Sequence, residues 1–207
     1  MQHRKLNNYL TMLILFFIVI ALSSCKSEYT KAVEAGLSSQ EVFDSLIFGM
    51  KIGQTKKDFY SICWDLNKQE LISEGPGNNY AKYIEPYDST SEMIFRKEML
   101  FYGIFDESDN MVGMDMIYNY VSWSPWMDRL QSGMLVEDLK EYYSKNYPGN
   151  EFMRINIKDT NLDAYAKIDG NRQILIYPKD AKDVAVKIED LRHKFREQFK
   201  DGQRQKT

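Results

Sequence analysis

Apolar residues first form an unbroken block over 9–22 and afterwards fall into two rhythms, one of helical and one of strand spacing. Ser38 followed by Glu41 has the spacing of a capping box, and Val42, Phe43, Leu46 and Ile47 then predict a short helix closed by Gly49. Thr55 is placed to cap a second helix, with Asp58 in its first turn, where the helix dipole favours negative charge. Phe59, Ile62, Cys63 and Leu66 make one apolar stripe at i, i+3, i+4 and i+7, and Trp64 lies off it. Gly75-Pro76-Gly77-Asn78-Asn79 reads as a turn.

Strand rhythm takes over at 80–84 and 93–105, with a bulge expected near Gly103. After a polar turn at 106–110, Val112, Met114, Met116, Tyr118 and Tyr120 alternate with a second set of residues, the period of a half-buried strand. Ser124-Pro125-Trp126 has the form of a helix start, with Ser capping and Pro at the first position. A further helix is expected from Leu135, Val136, Leu139, Tyr142 and Tyr143, ending before Pro148-Gly149. Strands return at 152–157, at 162–168 with Leu162, Ala164, Ala166 and Ile168 facing one way, and at 173–177 and 184–189. Asp169-Gly170-Asn171 supplies a hairpin turn. Leu191, Phe195 and Phe199 suggest a last helix, and 201–207 a disordered tail.

The pattern predicts an α+β fold, an antiparallel sheet with helices packed on one face. The order helix, glycine, helix, strands occurs twice, over 38–122 and 123–200. A shift of 80 residues lays Gly53 on Gly133, Asp58 on Asp138, Phe59 on Leu139 and Cys63 on Tyr143. Two tandem helix-helix-strand units within one domain, 38–200, are therefore expected.

The opening block is a different object. It is 14 residues long, follows Arg4 and Lys5, and ends in Leu22-Ser23-Ser24-Cys25. A helix of that length spans about 21 Å, short of the roughly 30 Å of a bilayer core. Basic start, short apolar middle and small residues at the end mark an export signal over 1–24. The ending resembles the lipobox of bacterial lipoproteins. That resemblance implies cleavage before Cys25, a diacylglyceryl group on its sulfur and an amide-linked acyl chain such as palmitate. Two or more chains hold stably to a membrane where one does not. It places the chain in the cell envelope, lipid-anchored and sorted to the outer membrane, facing the periplasm or the cell surface. Lys26-Ser27-Glu28 resembles the charged export tag of surface-exposed Bacteroidota lipoproteins, and the whole chain is similar to uncharacterised lipoproteins of that group. Residues 25–37 read as a polar tether between lipid and domain, with Lys26, Ser27, Glu28, Thr30, Lys31 and Glu34.

Charge and cysteine content then exclude functions. The chain has 27 Lys and Arg against 30 Asp and Glu, a net charge of −3. The signal carries two of the basic residues and no acid, so the remainder stands at −5. Nucleic acid is not an expected partner, since it calls for a clustered basic face. With Cys25 acylated, Cys63 has no partner for a disulfide. It is expected to be a buried apolar thiol and not the nucleophile of a dyad with His193, the one histidine beyond the signal. Asp106-x-Ser108-x-Asn110 and Asp159-x-Asn161-x-Asp163 space oxygen ligands as a calcium loop does, but both lack the glycine and the closing glutamate. No metal site and no cofactor is expected.

The residues that invite a binding reading are Tyr118, Tyr120, Trp123 and Trp126, because Tyr and Trp give large contact area at small entropic cost. Gly53-Gln54-Thr55 followed by Phe59 resembles the Gly-Met-Thr-x-x-x-hydrophobic opening of a family of exported proteins. That family includes the small lipoprotein of the outer-membrane assembly machinery and the beta-lactamase inhibitor proteins. The resemblance implies helices on an antiparallel sheet and a binding or scaffolding role without an active site. The expectation is a non-catalytic envelope lipoprotein that binds another envelope protein or assists envelope assembly. The alternative is an envelope hydrolase acting on glycan or peptide through clustered Asp and Glu.

Overall fold

The computed structural model describes residues 26–87, 92–156 and 163–195. Cys25, Asp159, Asn161, Leu162, Phe199 and the segments 1–24 and 201–207 lie outside the described residues. Among the described residues the architecture is α+β: four helices and an eight-stranded antiparallel sheet. Helix α1 (Glu28–Ser39) is the first of these. Helix α2 (Lys56–Lys68) precedes strands β1 (Ile72–Glu74), β2 (Ala81–Ile84), β3 (Lys97–Phe105) and β4 (Met111–Tyr120). Helix α3 (Ser132–Asn146) precedes β5 (Met153–Asn156), β6 (Asp163–Asp169), β7 (Arg172–Pro178) and β8 (Val184–Asp190), and α4 (Leu191–Lys194) follows.

The strand order is β1-β2-β3-β4-β8-β7-β6-β5. One helix and a four-stranded meander thus occur twice, and the last strands of the two meanders pair at the centre. Phe59 on α2 and Leu139 on α3, superposed by the 80-residue shift, are both buried. The helix-helix pair expected at the head of each half is not formed. A single 3-10 turn, Asp128–Leu130, stands where Ser124-Pro125-Trp126 was expected to start a helix.

Register assigns the faces. Met116 pairs with Phe101 and Val186, and Tyr118 with Met99 and Val184, so these side chains share one face. Helices α2 and α3 close that face over Met99, Phe101, Met114, Met116, Ile174, Ile176, Val186 and Ile188. Helix α2 begins with a full capping box: Thr55 Oγ1 accepts the Asp58 N–H at 3.1 Å, and Asp58 Oδ2 accepts the Thr55 N–H at 3.1 Å.

Helix α1 departs from two expectations. The stretch read as a tether is a helix capped by Ser27, whose Oγ accepts the Thr30 N–H at 3.1 Å. Tyr29, Val33 and Leu37 form its apolar stripe, and Val33 is buried with Ile168 and Leu191. Ile168 pairs with Gln173, across the sheet from the face that α2 and α3 cover, so α1 lies on the opposite face. Close approach there depends on Gly36: a β-carbon on it would stand 2.5 Å from the Gly170 carbonyl oxygen.

The helix expected from Ser38 does not form. Gln40 adopts a left-handed conformation (φ 60°) that ends α1. Beyond it the Phe43 N–H is taken by Asn171 Oδ1 at 2.6 Å. Leu46, Ile47, Met50 and Ile52 are buried from an irregular segment with one 3-10 turn, Ile47–Gly49. Its anchor is a buried charge cluster at the end of β6 and β7. Lys167 Nζ lies 2.9 Å and Arg172 Nη2 3.4 Å from Asp169 Oδ2, with all three side chains under 5% exposed. The Arg172 guanidinium also sits 4.7 Å from the Tyr147 ring and 5.2 Å from that of Phe43.

Candidate functional site

The four aromatic residues singled out from the sequence do not form one surface. Tyr118 (6% exposed) and Tyr120 (1%) are core, because their register points them at α3. Tyr118 Oη and Tyr143 Oη lie 2.9 Å apart, and Tyr120 Oη donates to Asp138 Oδ2 at 2.7 Å. Trp123 packs half-buried against the core, and its indole N–H has no partner among the described residues. Trp126 alone stands in solvent, 91% exposed. Alternation showed that the tyrosines share a face but not that α3 would cover it.

Of the concave surfaces formed by the described residues, two lie on opposite sides of the sheet. On the helix side is a cavity of about 360 Å³ between the 45–48 segment, β2, β3 and α3. Its aromatic walls are Phe48, Tyr83, Tyr118, Tyr142 and Tyr147, with Met99 and Leu139 beneath. Phe48 is held at φ 54°, a region costly for an L residue, and its ring lies 5.2 Å from Tyr83 and 5.5 Å from Phe101.

Glu85 and Lys97 bring charge to this cavity. Lys97 Nζ is 3.7 Å from Glu85 Oε2 and 3.8 Å from Asp138 Oδ2, and the Glu85 oxygen also accepts the Lys97 backbone N–H at 2.9 Å. Burial, with Glu85 adding to it, raises the pKa values of Tyr83 and Tyr142. Burial also pushes Tyr147 up to about 12, so these phenols stay neutral near pH 7. None of Tyr83, Glu85, Lys97 and Tyr142 was flagged by sequence reading. They come from three elements, and only the antiparallel register of β2 and β3 and the docking of α3 bring them together.

On the opposite face, Leu100, Ile117, Ala185 and Tyr177 form one cross-strand row through β3, β4, β8 and β7. Beside it lies a groove of about 690 Å³ between the start of α1 and the sheet, lined by Ile155, Leu175, Tyr177, Lys187 and Glu189 among others. A polar relay fixes α1 at its edge: Tyr29 Oη donates to Gln173 Oε1 at 2.6 Å, and Gln173 Nε2 donates to Glu189 Oε2 at 2.9 Å. Charge on this face is mixed, with Lys187 3.7 Å from both Asp115 and Glu189.

Cys63 faces a third, open concavity beside Tyr60, Trp64 and Tyr102. It was expected to be buried and is only partly so. Burial nevertheless pushes its thiol up to about 11, opposite to what an activated nucleophile needs. His193 belongs to α4 and acts on Asp106, lowering its pKa behind the larger effect of the Asn110 N–H. Asp106 Oδ1 accepts the N–H groups of Ser108 and Asn110, each at 2.9 Å, which makes that candidate loop an Asx turn. Among the described residues no three His, Cys, Asp or Glu side chains converge as metal ligands, and no helix is long and apolar enough to cross a membrane.

The fold and its two concavities define an α+β protein with grooves on both faces of one sheet. No protein-family model matches the chain, and no curated protein matches it. Among solved structures it is similar to YjgB, a DUF4309 family protein from Bacillus subtilis subsp. subtilis str. 168. The identity is 11% over 77% of this chain and 93% of that one, with a TM-score of 0.33, a likeness too slight to carry an argument.

Proposed function

We propose that the chain is a non-catalytic lipoprotein of the cell envelope, anchored by acyl groups on Cys25 and sorted to the outer membrane, which binds another envelope protein. The observation that supports the binding role is the apolar row of part-exposed Leu100, Ile117 and Tyr177 about the buried Ala185, flanked by Leu175 and Ile155. An apolar stripe rimmed by Lys187, Glu189 and Asp115 has the make-up of a protein interface, an apolar centre with a charged border. Ser27 and Glu28, two and three residues after Cys25, line the groove on this same side. A partner seated here is therefore itself membrane-bound or at the membrane surface.

The hydrolase alternative lacks comparable support. Glu85, which lines the helix-side cavity, and Asp138 each have the Lys97 ammonium within 4 Å. That is an ion-pair triad, whereas a glycosidase needs two carboxyl groups flanking room for a scissile bond.

Affinity purification from the native envelope tests the binding role. One envelope protein is expected with the wild type and is lost from the double variant Ile117→Lys, Leu175→Lys. Recovery of the same proteins by both, or of none by either, rejects it. Metabolic labelling with a fatty-acid analogue tests the anchor, and equal labelling of wild type and Cys25→Ala rejects that part.

A further inference from the structure

The helix-side cavity has no part in the envelope-binding role. We propose that it binds a neutral pyranose, one sugar ring that is either free or the end of a glycan. Its volume, about 360 Å³, is within the range of small-ligand sites. Tyr83 on β2 and Tyr142 on α3 enter it from the sheet wall and the helix wall, and Tyr142 is 42% exposed at the rim. A pyranose presents an apolar C–H face to such rings and directs its hydroxyls outward around the edge.

The hydroxyls have specific receivers. The Lys97 side chain is 19% exposed, and among the described residues its ammonium makes no hydrogen bond; its nearest carboxylate oxygens lie at 3.7 and 3.8 Å. That leaves donor capacity unfilled by protein at the cavity wall. A ligand hydroxyl accepting from Lys97 repairs this, and the neighbouring hydroxyl can donate to the Glu85 carboxylate beside it. One donor next to one acceptor, both charged, matches a vicinal diol and gives the stronger charge-assisted bonds.

Charge selects against the other candidates. A cationic ligand meets Lys97, and an anion meets Glu85 in the cavity wall. A neutral polyol satisfies both signs without leaving either exposed. The strained Phe48 backbone forms part of the same wall, and strain of this kind collects at ligand sites.

The test is saturation-transfer NMR on the full chain in lauryldimethylamine oxide, a detergent without a sugar headgroup. The probes are the methyl β-glycosides of glucose, galactose and N-acetylglucosamine, with choline as the cationic control and glycine betaine and phenylalanine as zwitterionic controls. At least one glycoside is expected to bind at millimolar concentration. Tyr142→Ala, at the exposed rim, and Lys97→Met are each expected to weaken it about tenfold, with circular dichroism checking that both variants fold. No transfer to any glycoside, unchanged affinity in folded Tyr142→Ala, or preference for choline, betaine or phenylalanine overturns the proposal. No envelope partner takes part, so this result stands apart from that of the affinity purification.

Discussion

Tyr118 of β4 and Tyr143 of α3 bring their hydroxyl oxygens to 2.9 Å at the centre of the molecule, where Tyr143 Oη also donates to Met116 Sδ at 3.2 Å. The two partners are unequal. Tyr118→Phe leaves the Tyr143 hydroxyl its sulfur acceptor and is expected to destabilise by about 1 kcal/mol. Tyr143→Phe leaves Tyr118 only the sulfur at 4.0 Å. Its expected cost is larger, about 2 kcal/mol, the loss for a buried hydroxyl left unpaired. The double variant should lose less than the two single losses together. Urea unfolding of the three variants checks this, and strict additivity contradicts the shared bond.

The same burial sets an alkaline limit. Desolvation raises the pKa values of Tyr118 and Tyr143 above their ordinary value of 10, and that of Tyr147 to about 12. Below pH 10 these phenols are neutral in both folded and unfolded chains. Above it the unfolded chain ionises first and binds fewer protons, so stability falls as pH rises, by about 1.4 kcal/mol per pH unit for each such tyrosine. Melting temperatures should hold from pH 7 to 9.5 and drop steeply beyond 10, while tyrosinate absorbance rises. Titration of all tyrosines near pH 10 without unfolding would contradict their burial.

Asp169 neutralises two buried cations, and Asp169→Ala strands both. Loss of one partner from a buried ionic cluster costs about 3–5 kcal/mol. Asp169→Asn keeps an acceptor for the Asn150 N–H, now 2.8 Å from Oδ1, and should lose less. Gly149 reaches the same group from the other side: its φ is 146°, and a β-carbon would stand 2.1 Å from Asp169 Oδ1. Gly149→Ala is therefore expected to destabilise by several kcal/mol. Thermal melts decide, and a Gly149→Ala variant as stable as wild type would refute the close approach.

Cys63 should be a slow thiol. With its pKa near 11, alkylation at pH 7 in a Cys25→Ala background is expected to run roughly two orders of magnitude slower than for an ordinary thiol. The rate should climb through pH 10. Fast labelling at neutral pH would reopen a catalytic role.

Where apolar positions recur at every second residue, the chain announced its structure. Met114, Met116, Tyr118 and Tyr120 mark β4, Val184, Val186 and Ile188 mark β8, and Thr55 with Asp58 marks the start of α2. Strand β1 was not anticipated, because Ile72-Ser73-Glu74 is too short to show a period. Helix α1 did have a signal, Ser27 ahead of Tyr29, Val33 and Leu37, but its apolar stripe is narrow and its place beside a lipobox suggests a spacer. The helix-side cavity was not legible at all: Tyr83 and Lys97 are far in sequence from Tyr142, and nothing local marks residues that meet only through register and helix docking.

That short spacer has a mechanical consequence. Ser27 already caps a helix locked to the sheet through Tyr29, so under the proposed acylation of Cys25 only Lys26 and Ser27 separate the lipid from the described body. Two extended residues reach about 7 Å. On that proposal the body rides close to the headgroups, and whatever it meets must come to it along the membrane plane.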